Sequence, residues 1–87
     1  MTTYYYYVDS GSVASTTSIN KARKQSIAYL ESHKKVENMP IYTSLYASTI
    51  YGYVLRGTRT YDGYVFCNKD GKNARMIKKD GSLSKRV

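Results

Sequence analysis

The sequence predicts an α+β fold in which a single amphipathic helix packs on a curved antiparallel sheet of four to five strands, in the order β-α-β-β-β. A run of four tyrosines near the start indicates a first strand, because tyrosine is a good strand former. Residues 19–35 then show the apolar spacing of a helix, and three Asp-Gly pairs divide the rest into short extended segments. The 87 residues are expected to form one domain, 1–87, with a modest core.

The opening strand, residues 3–8, has successive side chains on opposite faces, so Tyr4, Tyr6 and Val8 lie on one side and Tyr5 and Tyr7 on the other, and one of these sets can enter a core. Two interpretations of this second set stay open. It is either the wet face of an ordinary strand or a contact surface, since tyrosine is one of the residues that dominate interface energetics. The Ser-, Thr- and Gly-rich residues 9–18 have no hydrophobic period and predict a loop.

The helix, residues 19–35, has an apolar face that repeats at the i, i+3, i+4 spacing. This face comprises Ile19, Ala22, Ser26, Tyr29, Leu30 and His33, with Ile27 at its edge. Thr17 or Ser18 can cap the first turn. Residues 33–35 (His-Lys-Lys) are expected to complement the negative end of the helix dipole, and Pro40 to prevent continuation.

Residues 41–79 predict an antiparallel meander, because they are rich in aromatic and β-branched residues and contain the Asp-Gly turn signals. The expected strands are 49–61, 64–69 and 72–79. A turn is expected near residues 45–48 and a bulge at Gly52 or Gly57. The basic tail, residues 80–87, either adds a short edge strand or stays frayed.

The register of the meander decides which side chains face outward. If the Asp-Gly pairs form two-residue turns, Phe66 lies opposite Arg59 on one side and Arg75 on the other, with Tyr64 on the same face. That face interleaves cations with rings, an arrangement that grips phosphates and stacks bases. A slip of one residue exchanges the faces and makes Tyr64 and Phe66 core residues. Both registers stay open.

The net charge of +8 is concentrated in the second half of the chain. Residues 56–87 contain nine basic and three acidic residues, a local excess of six. Such a charge favours association with nucleic acid or with an RNA-containing assembly. The alternative is a basic surface that only confers solubility.

The inventory of reactive side chains argues against an enzyme, and no cofactor or metal is expected. His33, the only histidine, falls at the end of the helix, where a dipole or core-edge role is favoured over general-base catalysis. Cys67 lies in the middle of a strand and is read as a small buried hydrophobe. A lone cysteine fits a reducing cytoplasm, and neither a membrane span nor a secretory signal is recognisable.

The order of elements resembles that of small phage anti-CRISPR proteins, in particular a type I-F inhibitor with one helix on a curved antiparallel sheet. The segments that carry the resemblance are SINKARKQS at the helix start, GYVLR at residues 52–56, the turn YDG, and KDGK at residues 69–72. The YYYY run and the basic tail have no counterpart in this comparison. The resemblance implies a stoichiometric inhibitor that sits on an RNA-guided surveillance complex in the host cytoplasm and obstructs pairing with target DNA.

The sequence thus predicts a non-enzymatic inhibitory binding protein, either a monomer or a weak homodimer, that binds a protein or ribonucleoprotein complex. A free-standing nucleic-acid-binding protein is the main alternative, and a small structural protein is a third. The predicted basic contacts are Arg56, Arg59, Lys69, Lys72 and Arg75, and the predicted aromatic anchors are Tyr5, Tyr7 and Tyr64.

Overall fold

The computed structural model describes residues 1–8, 11–44, 49–57 and 63–86, with residues 85 and 86 described for the backbone only. One helix packs on a seven-stranded antiparallel sheet, so the α+β prediction is confirmed and the predicted count of four to five strands is too low. The elements are β1 (Tyr4–Tyr7), β2 (Val13–Thr16), α1 (Ile19–Ser32), β3 (Asn38–Tyr42), β4 (Ile50–Arg56), β5 (Tyr64–Asn68), β6 (Arg75–Ile77) and β7 (Leu83–Arg86). The spatial order is β2-β1-β3-β4-β5-β6-β7.

Strand β2 lies inside the segment that the sequence predicts as a loop. It pairs antiparallel with β1 over its whole length, from Tyr4 opposite Thr16 to Tyr7 opposite Val13. Next to these pairs, the Val8 amide donates to the Ser12 carbonyl. The prediction is wrong here because β2 is held by backbone pairing with the tyrosine strand and needs no apolar alternation of its own.

Helix α1 begins as predicted, with the Ser18 hydroxyl accepting a hydrogen bond from the Lys21 amide at 3.2 Å. It ends at Ser32, three residues before the predicted boundary, and no basic residue lies in its last turn. His33 is the C-cap, so the predicted role of residues 33–35 at the helix dipole is not observed. The carbonyls at this end meet a cation from another element, Arg56 of β4.

The core forms where α1 covers one face of β1, β3 and β4. Its buried hydrophobic members are Tyr6, Ala22, Leu30, Met39, Ile41, Val54 and Phe66. Each strand supplies alternate residues to this face, as a pleated strand must. Within the described ranges, no helix has the length and apolar character that a membrane span needs.

The observed register between β4 and β5 places Phe66 opposite Val54 and leaves Phe66 only 6% exposed. The predicted pairing of Phe66 with Arg59 is therefore wrong, while its pairing with Arg75 on the other side is confirmed. The interpretation that makes Tyr64 and Phe66 core residues holds, because Phe66 is buried and Tyr64 packs against the core. The error arises because β4 ends at Arg56 and β5 begins at Tyr64, a connection too long for a two-residue turn.

A bulge in β4 lies one residue before the predicted Gly52. Ile41 pairs with Gly52 and Tyr42 with Ile50, so Tyr51 is the extra residue. Its ring centroid lies 5.1 Å from that of Tyr4 and 6.0 Å from that of Phe66. The bulge thus turns Tyr51 toward the helix side of the sheet.

The β6–β7 hairpin curls back onto the start of α1. Its turn residue Gly81 is buried, has φ +89°, and accepts a hydrogen bond from Arg23 Nη1 at 3.1 Å. The tail of the chain therefore continues into a paired strand, β7, which is the edge-strand alternative for residues 80–87. The helix therefore contacts β2 on one side and the β6–β7 turn on the other.

Candidate nucleic-acid interface

The predicted contact residues separate into two groups that lie on different parts of the molecule. Tyr5 and Tyr7 alternate with the core residue Tyr6 and so start from the other face of β1, although the half-buried Tyr7 also packs against the core. Lys69, Lys72 and Arg75 are exposed on the β5–β6 turn and at the start of β6. Arg59 lies outside the described residues.

Arg56 serves the fold and is a poor candidate for a partner contact. Its Nε donates to the Val36 carbonyl at 3.0 Å, and its Nη2 donates to the carbonyls of His33, at 3.0 Å, and Leu30. These oxygens lie at the end of α1, where helix carbonyls lack intrahelical donors and the dipole is negative. The guanidinium thus fastens β4 to the helix terminus.

Tyr64 also has an internal partner. It is half-buried on the helix side, packs against the core, and has its hydroxyl close to Glu31 of α1. Burial, followed by the hydrogen bond with Glu31, raises the pKa of Tyr64. The ring is therefore held in place and keeps only part of its surface for a partner.

Arg23 is a functional candidate that the sequence reasoning missed. Its side chain is 6% exposed, with the guanidinium carbon 4.6 Å from the centroid of the Phe66 ring. Nη1 donates to Asn20 Oδ1 at 2.9 Å and to the Gly81 carbonyl, and Nε has no hydrogen-bond partner among the described residues. Burial lowers the pKa of Arg23. The signal was its position, four residues after Ile19 and seven before Leu30, which is an inward spacing.

Exposed cations lie on α1 and on the β5–β7 region. Lys24 on α1 is exposed, as are the lysines of the β5–β6 and β6–β7 turns, and Arg75 Nε donates to the Ser84 carbonyl at 2.7 Å. The exposed basic set comprises Lys24, Lys69, Lys72, Arg75, Lys78 and Lys79. Within the described ranges, none of these six lies at ion-pair distance from a carboxylate, whereas Lys34 lies 3.8 Å from Glu31. We call this set the basic surface.

The two acidic residues within the basic surface are occupied in turns. Asp80 Oδ1 accepts from the Ser82 amide and hydroxyl, and these hydrogen bonds lower the pKa of the Asp80 carboxyl. Asp70 follows Asn68, whose side chain accepts from the Asp70 and Lys72 amides and closes the β5–β6 turn. These two carboxylates therefore offset only part of the positive charge of the lysines in the basic surface.

Tyrosine hydroxyls cluster on the sheet face opposite the helix. The ring centroids of Tyr7 and Tyr42 are 6.1 Å apart and nearly perpendicular, and Tyr5 pairs across the strands with Tyr42. Burial raises the pKa of Tyr42, with further contributions from Tyr7 and Tyr53. We call Tyr5, Tyr7, Tyr42 and Tyr53 the tyrosine face. Strands β3 and β4 separate Tyr5 and Tyr7 of β1 from Lys69, Lys72 and Arg75 of the β5–β6 region.

His33 and Cys67, the two residues considered for catalysis, both make contacts that serve the fold. The His33 ring stacks on Tyr29 at 4.0 Å, and its Nδ1 lies 3.0 Å from the Tyr29 carbonyl oxygen. Cys67 is 3% exposed, and burial raises the pKa of its thiol, which disfavours the reactive thiolate. Among the described residues, no three His, Cys, Asp or Glu side chains are grouped so that they could hold a metal ion.

No known protein family matches the sequence, and no curated protein and no solved structure matches it either. The functional argument therefore depends on the geometry of the basic surface and the tyrosine face.

Proposed function

We propose that this protein is a non-enzymatic binding protein whose basic surface holds a nucleic-acid-containing partner. The observation that carries the proposal is the exposure of six cations on α1 and the β5–β7 region, none with a carboxylate at ion-pair distance among the described residues. Lysines without internal partners are available to neutralise phosphates and release their counterions. The exposed ring of Tyr51, 42% exposed beside Phe66, adds an aromatic group on the same side.

In its specific form, the protein is an inhibitor of an RNA-guided defence complex, as the resemblance to anti-CRISPR proteins suggests. Such complexes present RNA phosphates and strand-displacement channels that suit a basic surface. The tyrosine face supports a protein component in the interface, because half-buried tyrosines with clustered hydroxyls combine ring area with polar tips. A free-standing nucleic-acid-binding protein is the second candidate, and it needs only the basic surface.

The test is affinity capture from a CRISPR-bearing lysate, in parallel with binding of purified protein to DNA and RNA at ~50 mM salt. We expect the tagged protein to recover subunits of a surveillance complex, and a Lys78→Glu/Lys79→Glu variant to lose them. Lys21→Glu/Lys35→Glu is the matched control, because it makes the same charge change on the exposed side of the helix and beyond its end. Failure to recover any such subunit would remove the inhibitor form. Failure to bind DNA and RNA as well would remove the proposal.

A further inference from the structure

A groove opens where α1 leaves the sheet uncovered. The helix packs on β1 to β4, and its residues Lys24 and Ile27 line a groove whose other side is formed by β5 and β6. The groove between them has a volume of about 320 Å³ and is lined on the sheet side by Tyr64, Ile77 and their neighbours. This is at the lower end of the range of about 300–1,000 Å³ that ligand sites occupy.

The lining of the groove combines an apolar floor with a cationic rim. Ile27, Ile77 and the ring of Tyr64 supply apolar surface, and Lys24, Lys78 and Lys79 supply three ammonium groups from two elements. None of the described residues that line the groove is acidic. The three lysine side chains are exposed, so their charges stand at the mouth.

We infer that this groove takes one unstacked base of a single-stranded nucleic acid, with the adjoining phosphates on Lys24, Lys78 and Lys79. The inference rests on the proposed function and names the form of nucleic acid that the basic surface prefers.

Charge complementarity and the nature of the floor select this occupant. Three ammonium groups without a carboxylate in the lining favour an anionic partner. The phosphates of a nucleic-acid backbone supply negative charges at regular intervals. A duplex presents phosphates but keeps its bases stacked inside, so it would leave the apolar floor empty. A single strand can place a base against the Tyr64 ring while its backbone follows the lysines, which is how single-strand binders combine stacking with charge.

Tyr64 is suited to this task because its ring is already fixed. Its packing against the core holds the side chain before any ligand arrives. A preorganised side chain loses little conformational freedom on binding, which favours affinity.

The first test uses the unaltered protein. Fluorescence anisotropy compares an oligothymidylate with an abasic oligonucleotide of equal length, which has the same phosphates and no bases. We expect the abasic strand to bind about 5- to 150-fold more weakly, the loss that one stacked base produces. Equal affinities would overturn the inference.

The second test asks whether the base binds in the groove. Tyr64→Leu is expected to weaken binding of the oligothymidylate by about the same factor and to have little effect on the abasic strand. Tyr29→Leu makes the same chemical change at another half-buried tyrosine, which stacks on His33 and lines neither the groove nor the tyrosine face, and it is expected to bind as the unaltered protein does. Equal losses from the two variants would overturn the inference, as would a Phe-containing acidic peptide that binds more tightly than the oligonucleotide in a Tyr64-dependent manner.

These outcomes separate the inference from the function on which it rests. Recovery of a surveillance complex together with equal binding of intact and abasic strands would leave the proposed function standing and remove the groove as a base site. Loss of all nucleic-acid binding and of capture would remove both.

Discussion

The Arg23 guanidinium of α1 lies over the Phe66 ring of β5, with 4.6 Å between the guanidinium carbon and the ring centroid. Both side chains are buried, at 6% exposed each. The helix therefore contacts the middle of the sheet through a cation and a ring, where an aliphatic pair would be usual. Arg23 also contacts the β6–β7 turn through Gly81, so one side chain links three elements.

We expect Arg23 and Phe66 to be energetically coupled. A double-mutant cycle with Arg23→Met and Phe66→Leu should give a coupling free energy of about 1–2 kcal/mol, because a desolvated cation over a ring is attracted by its quadrupole. The free energies of unfolding come from urea titration of the four proteins. Additive effects of the two substitutions would contradict a cation–π contribution.

Gly81 and Gly71 form a matched pair for a second prediction. Both have positive φ, +89° and +79°, in equivalent turns. A Cβ at Gly71 would meet no atom within 4 Å, whereas a Cβ at Gly81 would overlap the Asn20 carbonyl. Gly71→Ala should lower the free energy of unfolding by about 1–2 kcal/mol, the cost of the left-handed backbone.

Gly81→Ala should cost more, above about 3 kcal/mol, because the β6–β7 turn must also move off the helix and release Arg23. Thermal and urea unfolding of the two variants give the comparison. Equal costs would mean that the turn does not pack on the helix as the structure shows.

Arg56 leads to a third prediction, which separates a structural cation from a binding one. Arg56→Gln should lower the free energy of unfolding by about 2–4 kcal/mol, because the carbonyls of Val36, His33 and Leu30 lose a charged donor. The folded variant should bind nucleic acid as the unaltered protein does. Weaker binding without a loss of stability would restore Arg56 as a partner contact.

The helix and the overall class could be predicted because their signals are local. The apolar spacing and the Ser18 cap define the start of α1, and the Asp-Gly pairs indicate an antiparallel meander. Strand β2 could not be predicted, because its stability comes from pairing with β1 and from a turn closed by Val8 and Ser12. Pro40 was expected to stop the helix but lies within β3. Pro40 does not pair with β1, because the one residue of β3 that does is Tyr42, opposite Tyr5.

The candidate site was only partly predictable for a related reason. Side-chain alternation along β1 correctly separates Tyr5 from the buried Tyr6, whereas Tyr7 also packs against the core. Which cations join a given face depends on register, and the β4–β5 register is set by a connection whose length the Asp-Gly signal misjudges. Lys24 and Lys78 both line the groove between α1 and β6. They are far apart in the sequence, so no local pattern predicts that they lie together.

A fourth prediction concerns alkaline pH. Burial raises the pKa values of Cys67, Tyr4 and Tyr42 above their ordinary values of 9.0, 10.0 and 10.0. The unfolded chain therefore releases these protons at lower pH than the folded protein does. The stabilisation is fully present below about pH 9 and is lost as pH rises through the folded-state values.

Urea titrations between about pH 7 and about pH 11 should show a plateau followed by a fall in the free energy of unfolding. Tyr42→Phe should make the fall less steep, because it removes one of the late-ionising groups. A free energy that stays constant to the alkaline limit would contradict the burial of these side chains.

The last prediction measures how many phosphates the β5–β6 turn contacts. If Lys69 and Lys72 neutralise one phosphate each, the slope of log Kd against log salt concentration should shrink by about 1.4 in Lys69→Gln/Lys72→Gln with a single-stranded oligonucleotide. Lys34→Gln/Lys35→Gln removes the same charge from exposed positions beyond the C-terminal end of α1, outside the basic surface, and should leave the slope unchanged. An equal change in both double variants would mean that net charge alone, with no defined surface, drives the association.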